Sequence, residues 1–422
     1  MKLLANAALP TSSTALKKVN VLFDETIQRI SADIPNTEDV SEVIDLGGKI
    51  LLPGGVDAHS HIIAEKDPGK ILARVSKAAL SGGWTTLVEL SYFNPQPIFT
   101  SADFKHMAGL IDANSYVDMG LWGNVNMADY PYHAEAALEL WNLGAAGLAL
   151  MNPSPNPALV ALSFSEIMDL FMEIYESDTA FAFQGYDQEQ GTGFSFEAQS
   201  AAIKKLLRRM QENPIHIPRI ASYPTIEFIN SISKRSDISF SMCLADLMKL
   251  FSKLDLGMPT DLVDYEEIFF DLLRTNKIYM LSNNVESGAQ PADCSEAFRG
   301  APEQLLPWSY LWALEELWAK RKFPLATVIK MTSENAAKRL GIYPAKGCLE
   351  AGSDADFVIY DPHKPTQCKN PDGSSRQIMG SIDSVYLRGR KAFSGGKAAT
   401  AAGSFLKRST NPKRRHNSTT WI

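Results

Sequence analysis

Short apolar runs alternate with amphipathic helical stretches from about Pro53 to Pro344, and this alternation limits the possible folds more than any other feature. Strands separated by helices at this spacing are typical of parallel βα units. Seven or eight such units over roughly 290 residues favour a closed barrel over an open sheet. We therefore predict an α/β fold with a (β/α)8 TIM-like barrel at 53–344. The predicted strands include 85–90, 116–122, 147–151, 181–183, 215–217, 238–242 and 277–282.

The segments on either side of this region have a β pattern without helical periodicity. Before it, two apolar runs at 43–46 and 50–53 are separated by a Gly-Gly turn. After it, strand patterns return at 355–360 and 384–390. The simplest arrangement joins 1–52 and 345–395 in one composite domain, which we predict to be a small β-sandwich beside the barrel.

Composition and charge exclude several classes of protein. No run of about 18 apolar residues is present, so we expect no membrane span, and the apolar stretch at the N-terminus is too short to favour a cleaved signal peptide. A net charge of −7 does not favour binding to nucleic acid or to an anionic membrane. Four cysteines without a CxxC pair predict reduced thiols in a cytoplasmic protein.

The last segment, 401–422, is rich in Ser, Thr, Lys, Arg and Asn. This composition predicts a disordered basic tail. The run Lys413-Arg414-Arg415-His416 has two interpretations, a nuclear-import patch or simply a solvated basic tail, and we favour the second.

The motif with the clearest chemistry is Asp57-Ala58-His59-Ser60-His61, which follows an apolar strand. Alternate side chains of a strand point to one face, so His59 and His61 are expected to project together at a carboxyl end of the barrel. Two neutral imidazoles held in this way form half of a zinc site. Asp57, on the same face, is expected to orient a histidine rather than to bind the metal.

Three stretches resemble the cyclic amidohydrolases, the branch of the amidohydrolase superfamily that includes dihydroorotase, allantoinase and dihydropyrimidinase (hydantoinase). They are PGGVDAHSH at 53–61, AALSGGWTTLVEL at 78–90 and MTSENAAKRLGIYPAKGCLEAGSDADFVIYDP at 331–362. The resemblance extends over nearly the whole chain, to about Lys391. It implies hydrolysis of a C–N bond in a cyclic amide by two metal ions.

The sequence departs from the family at the other positions of the metal centre. The family uses a carboxylated lysine, two further histidines and an aspartate that acts as the base. The matching positions here are Ala149, Gln184, Arg219 and Asn283. A methyl group cannot bridge two cations, a neutral amide is a poor zinc ligand, an arginine repels a metal, and an asparagine cannot take a proton from water.

Other positions near the site also differ from the family. Asn284 stands where a histidine follows the aspartate, and Ile63 stands where dihydroorotase has an arginine for the substrate carboxylate. His216 precedes Arg219 by three residues, and this odd offset predicts that His216 faces away from the site. Three more side chains near the predicted strand ends show no ligand spacing: Asp187, Cys243 and Glu286.

Two functions follow from this pattern. The first is a cyclic-amidohydrolase homologue that has lost most metal ligands and the base, is inactive or weakly active, and binds a small-molecule metabolite. The alternative is a mononuclear hydrolase that uses His59 and His61. We expect one zinc ion at most, and no binuclear centre. The resemblance also implies a homo-oligomer or a complex with an active relative.

Overall fold

The computed structural model describes most of the chain. The described residues are 1–11, 15–33, 40–62, 67–91, 97–154, 156–174, 179–189, 195–209, 214–220, 222–232, 237–253, 265–275, 277–285, 302–370 and 374–408. Of the residues discussed above, Ile63, Glu286 and the basic run 413–416 lie outside them.

The chain begins with strands that do not belong to the barrel. They are β1 (Lys2–Pro10), β2 (Leu16–Phe23), β3 (Ile27–Ser31), β4 (Glu42–Asp45) and β5 (Ile50–Pro53). β1 pairs antiparallel with β2 and parallel with β4 and β5. The turn before β5 contains Gly47 and Gly48, both at positive φ, where glycine avoids a steric penalty.

Eight parallel strands in sequence order then form a barrel. They are β6 (Gly55–Ser60), β7 (Trp84–Glu89), β8 (Asp118–Asn124), β9 (Gly147–Asn152), β10 (Phe181–Gly185), β11 (Ile215–Ile217), β12 (Ile238–Cys243) and β13 (Met280–Ser282). The backbone N–H of His61 donates to the Val285 carbonyl (2.8 Å) and brings the first and last strands together. This arrangement confirms the predicted (β/α) barrel.

Helices separate the strands and cover the barrel. They are α1 (Pro68–Ser81), α2 (Ser101–Asn114), α3 (His133–Leu143), α4 (Phe164–Glu173), α5 (Phe196–Leu207), α6 (Tyr223–Ile232), α7 (Leu244–Ser252), α8 (Glu266–Arg274), α9 (Pro302–Ala313), α10 (Leu325–Ile329) and α11 (Asn335–Arg339). Met127–Asp129 forms a 3-10 turn, and Leu314–Lys320 and Lys330–Glu334 form π-helical segments. No helix of the described ranges is both long and apolar enough to cross a membrane.

Helix α1 illustrates how the sequence sets the ends of these helices. The Asp67 side chain accepts a hydrogen bond from the Lys70 N–H, and Pro68 occupies the first turn, where its missing N–H costs nothing. The helix ends at Gly82, which lies against α9: a Cβ atom there would be 1.9 Å from the Leu306 carbonyl oxygen. A glycine is therefore required for α1 and α9 to pack this closely.

The C-terminal strands complete the sheet begun by β1–β5. They are β14 (Phe357–Lys369), β15 (Ser375–Leu387), β16 (Arg390–Ser394) and β17 (Lys397–Ala398). β14 pairs antiparallel with β5, which joins the two ends of the chain in one nine-stranded mixed sheet. The two ends of the chain thus combine in one sheet, as predicted, whereas the bounds 1–52 and 345–395 of the joint β domain and its sandwich form stay predictions.

The segment after β17 differs from its prediction. We expected disorder from Ala401, but 401–408 runs along the barrel. The Met119 N–H donates to the Ser404 carbonyl, the Leu406 N–H donates to the Met119 carbonyl, and the Arg408 guanidinium lies 3.4 Å from the centre of the Trp141 ring. These contacts fix 401–408, so the prediction of disorder is wrong for this part of the tail.

Candidate functional site

The strand motif Asp57-Ala58-His59-Ser60-His61 lies inside the barrel. Asp57 and His59 are on β6 and His61 follows it, and all three side chains are buried. Their period-two spacing directs them to one face, as the alternation of a strand requires. The His59 and His61 rings lie 6.4 Å apart between centroids.

Both imidazoles contact the same atom of Asn284. The amide position assigned as Oδ1 lies 3.0 Å from His59 Nδ1 and 3.2 Å from His61 Nε2. On its other side, His61 Nδ1 lies 2.7 Å from the Leu90 carbonyl oxygen. An asparagine side chain therefore lies between the two rings, where their nitrogens converge.

Burial keeps both rings neutral. It lowers the pKa of His59 to about 3, with a further contribution from the neighbouring His61, and lowers the pKa of His61 to about 4. A neutral imidazole has one N–H donor and one lone pair, so each ring can bind either a metal or a hydrogen-bond donor through the latter.

Asn283, which we predicted to stand at the position of the family's base, is held by its neighbours. Its Nδ2 donates to Asp57 Oδ2 (3.1 Å), its backbone N–H donates to Asp57 Oδ1 (3.2 Å), and Ser309 Oγ donates to its Oδ1 (2.6 Å). Burial raises the pKa of Asp57 to about 7, although the bonds from Asn283 oppose the increase. Asp57 thus bonds to Asn283, whereas we predicted that it would orient a histidine.

His216 does not face away from the site, so that prediction is wrong. Its ring centroid is 5.7 Å from that of His59 and 6.3 Å from that of Trp122, with which it stacks at 11°. Its nitrogens are bonded to the hydroxyls of Ser239 (3.0 Å) and Ser241 (3.2 Å). The prediction failed because β11 ends at Ile217 and Pro218 interrupts the pairing. The alternation of faces therefore does not continue to the next residues.

Arg219 is buried and paired with an aspartate that the sequence analysis missed. Its Nε and Nη2 donate to the two carboxylate oxygens of Asp246 on α7 at 3.1 and 2.9 Å. Burial opposes the charged form, but the Asp246 carboxylate raises the pKa of Arg219 above its usual value. The only signal in the sequence was an aspartate four residues after the predicted strand 238–242, in Cys243-Leu244-Ala245-Asp246.

The remaining predicted positions lie on β9 and β10. Ala149 is buried in an apolar cluster inside the barrel that also contains Val56, Trp122 and Ala182. Gln184 is half-buried near the end of β10. The barrel interior is therefore apolar around Ala149, which we predicted to stand at the position of the family's lysine.

Two of the three additional candidates have other partners. Cys243 Sγ donates to the Asn283 carbonyl (3.1 Å). Asp187 lies at the edge of a surface groove of about 890 Å³ and pairs with Lys205 at 3.3 Å. The described residues give neither side chain a ligand's role.

Whether the residues around His59 and His61 can hold a metal ion depends on the number of ligands that they supply. A catalytic zinc ion needs three protein ligands. Within the described residues, the group of three His, Cys, Asp or Glu side chains whose ligand atoms all lie within 4.8 Å of one another does not include His59 or His61. The three carboxylates that meet this distance, those of Asp118, Asp354 and Asp356, lie elsewhere and surround the Lys346 ammonium. The residues described here fit half of a metal site at most.

The buried imidazoles predict a marked loss of stability in acid. Their folded pKa values lie below the usual 6.5, so the stability they contribute is fully present above about pH 6.5 and decreases as the pH falls towards 4. Asp57 acts in the opposite direction. Because its pKa is raised, the folded state loses stability as the pH rises from about 4 to 7. The histidines dominate, since burial also lowers the pKa of His216. Thermal unfolding between pH 7 and 4.5 measures this balance.

A matched pair of variants separates this effect from general acid unfolding. His61→Gln should reduce the pH dependence of the unfolding temperature, because the imidazole that must be charged is gone. The exposed His106 has no buried environment, so His106→Gln should leave the dependence unchanged. Equal pH dependence in the wild type and His61→Gln would contradict the assignment.

The sequence of this chain is similar to those of known proteins. A family model described as the amidohydrolase family matches residues 301–392. Allantoinase of Rubrobacter xylanophilus is 23% identical, covering 90% of this chain and 92% of its own. L-hydantoinase of Paenarthrobacter aurescens is 23% identical, covering 83% of each.

Solved structures of two such proteins have a similar fold. L-hydantoinase (dihydropyrimidinase) from Arthrobacter aurescens superposes with a TM-score of 0.77 at 21% identity, covering 96% of this chain and 99% of that one. D-hydantoinase (dihydropyrimidinase) from Thermus sp. has a TM-score of 0.78 at 17% identity, covering 97% and 99%. The barrel and the joint β domain are therefore shared with these proteins.

Proposed function

We propose that this chain, a distant homologue of the allantoinase and hydantoinase cyclic amidohydrolases, no longer performs their metal-dependent hydrolysis. Its barrel serves instead to bind a small metabolite or to assemble, with a second copy or with an active relative. The observation that carries this proposal is the Asn284 amide between His59 and His61, where a metal ion would be bound.

The chemistry of the family's reaction explains why these residues matter. Hydrolysis of a cyclic amide by this route needs a metal-bound hydroxide and a group that accepts its proton. Asn283 has no basic atom, and its amide is already bonded to Asp57 and Ser309. A general base contributes about 10²–10⁴-fold to a rate. The loss of the base alone thus supports a large decrease in activity, before the loss of metal ligands is considered.

The neutral replacements also agree with a site adapted to the absence of metal. A cluster of charged ligands without its cation would leave buried charges at a high cost in stability. Ala149 packs against apolar neighbours, and Arg219 is neutralised by Asp246. These contacts support a barrel interior that is stable without metal.

A second function, a mononuclear hydrolase, is supported by one observation. His59 and His61 are both buried, on one face, with nitrogens directed at a common point. Rotation of Asn284 would let one metal bind there, but proton transfer would still lack the aspartate that matches Asn283.

The two functions are separated by assays on hydantoin, allantoin, dihydrouracil and dihydroorotate with added Zn²⁺, Mn²⁺ or Co²⁺. We expect no metal-dependent turnover by the wild type. His59→Ala is the control, because activity that persists in this variant cannot come from the two-histidine site. Turnover that requires metal and disappears in His59→Ala would overturn the proposal in favour of the mononuclear hydrolase.

A further inference from the structure

The hydrogen bonds around His61 determine which atom of Asn284 faces it. His61 Nδ1 is 2.7 Å from the Leu90 carbonyl oxygen, which can only accept a hydrogen bond. The ring proton is therefore on Nδ1. In a neutral ring, Nε2 then presents a lone pair to the Asn284 amide, 3.2 Å away.

An amide oxygen at that point would place two acceptors against each other. The oxygen and nitrogen of an asparagine amide exchange places when the amide group makes a half-turn about the Cβ–Cγ bond. Only the surrounding hydrogen bonds distinguish the two orientations. With the nitrogen in this place, the NH2 group has two protons, one for His61 Nε2 and one for His59 Nδ1, 3.0 Å away. The His59 proton then lies on Nε2, and the nearby Pro218 carbonyl favours a proton on this ring.

We propose that the amide nitrogen of Asn284 takes the place of a metal ion between His59 and His61, donating one hydrogen bond to each imidazole, and that it closes a latent metal-binding position. This inference rests on the proposed function and deepens it, because it explains how two converging lone pairs are satisfied without a cation. A buried acceptor left without a hydrogen bond destabilises the fold, so a donor is required between the two rings.

The local backbone favours asparagine for this role. Asn284 has a φ of 47°, in the left-handed region, where asparagine is enriched among non-glycine residues. The neighbouring Asn283 is already bonded to Asp57 and Ser309. Asn284 is thus the amide of this pair that reaches both imidazoles.

The test is Asn284→Asp, which has the same shape but accepts hydrogen bonds only when ionised. It removes the donor and adds a carboxylate to two imidazoles, which together form a ligand set suited to divalent transition metals. We expect Asn284→Asp to bind one equivalent of Co²⁺, seen as new visible absorption, and the wild type to show none. Adding His59→Ala to Asn284→Asp should abolish this absorption.

Asn284→Gly is the second variant, since glycine accepts the positive φ and removes the amide without adding a ligand. It should bind Co²⁺ more tightly than the wild type and more weakly than Asn284→Asp. Nitrogen NMR of the wild type should show a neutral His61 protonated on Nδ1. A doubly protonated His61 would overturn the inference.

The inference and the proposed function can fail separately. If neither Asn284 variant binds more Co²⁺ than the wild type, the inference is overturned while the absence of hydrolysis still stands. If the wild type binds Co²⁺ and loses it in His59→Ala, the amide does not close the position. Turnover of a cyclic amide by the wild type would instead overturn the proposed function.

Discussion

Replacing Arg219 by methionine is expected to lower the free energy of unfolding by about 3–5 kcal/mol, the usual effect of leaving a buried charge without its partner. Arg219 and Asp246 are both buried, and the guanidinium bonds both carboxylate oxygens at 2.9–3.1 Å. Methionine fills a similar volume but leaves the Asp246 carboxylate unpaired. Urea unfolding of the purified variant measures the change.

Two further variants show whether the pair is responsible. Arg219→Met combined with Asp246→Leu should recover most of the stability, because replacing a buried ion pair by apolar side chains is often neutral. Arg208→Met, at an exposed position, should have little effect. A stable Arg219→Met protein would mean that the arginine is held for another purpose, such as binding an anion.

Lys346→Met is expected to have an effect of similar size, about 3–5 kcal/mol or more. The Lys346 ammonium is buried among three carboxylates, at 2.5 Å from Asp118 and 2.8 Å from both Asp354 and Asp356. These carboxylates raise the pKa of Lys346 above its usual value, although burial opposes them. Asp118 begins barrel strand β8, whereas Asp354 and Asp356 precede β14 of the mixed sheet. Losing the ammonium would leave like charges together at the junction of the barrel and the sheet.

Lys338→Met is the matched control for this prediction. Lys338 pairs with Glu334 one helical turn away, at 2.5 Å, but its side chain is 30% exposed. Surface pairs of this kind contribute about 0–1 kcal/mol. Thermal and urea unfolding of both variants should therefore differ clearly. Equal stability of Lys346→Met and Lys338→Met would show that the buried Lys346 cluster does not stabilise the contact between the barrel and the mixed sheet.

The sequence was sufficient for the architecture because the architecture depends on repeating patterns. The strand–helix alternation predicted the barrel, and the β patterns at both ends predicted that the N- and C-terminal segments would join, as they do where β5 pairs with β14. Patterns of this kind are averages over many residues, so a small error in one strand does not change the result.

The contacts within the site could not be predicted in this way. Asn284 lies 225 positions from His59, and Asp246 lies 27 positions from Arg219, so their pairing depends on how the barrel closes. His216 was placed on the wrong face because alternation was extended through Pro218, where the strand had already ended. Individual polar pairs depend on local backbone geometry that periodicity does not determine.

The order of segment 401–408 could not be predicted from the sequence either. The composition of 401–422 as a whole is typical of disorder, yet the backbone of 401–408 bonds to Met119 and the Ser404 hydroxyl donates to Asp118 at 3.1 Å. Composition describes the ability of a segment to form its own core. It does not reveal that another part of the chain supplies hydrogen bonds for it.

We propose that the Asn284 amide, and not a metal ion, lies between His59 and His61. Diffraction at the zinc absorption edge, from crystals of the wild-type protein grown with zinc, tests this most directly. We expect no anomalous peak at this point and clear density for the Asn284 side chain between the two rings. A strong anomalous peak at about 2.0–2.1 Å from nitrogens of both imidazoles, with Asn284 turned away, would contradict it.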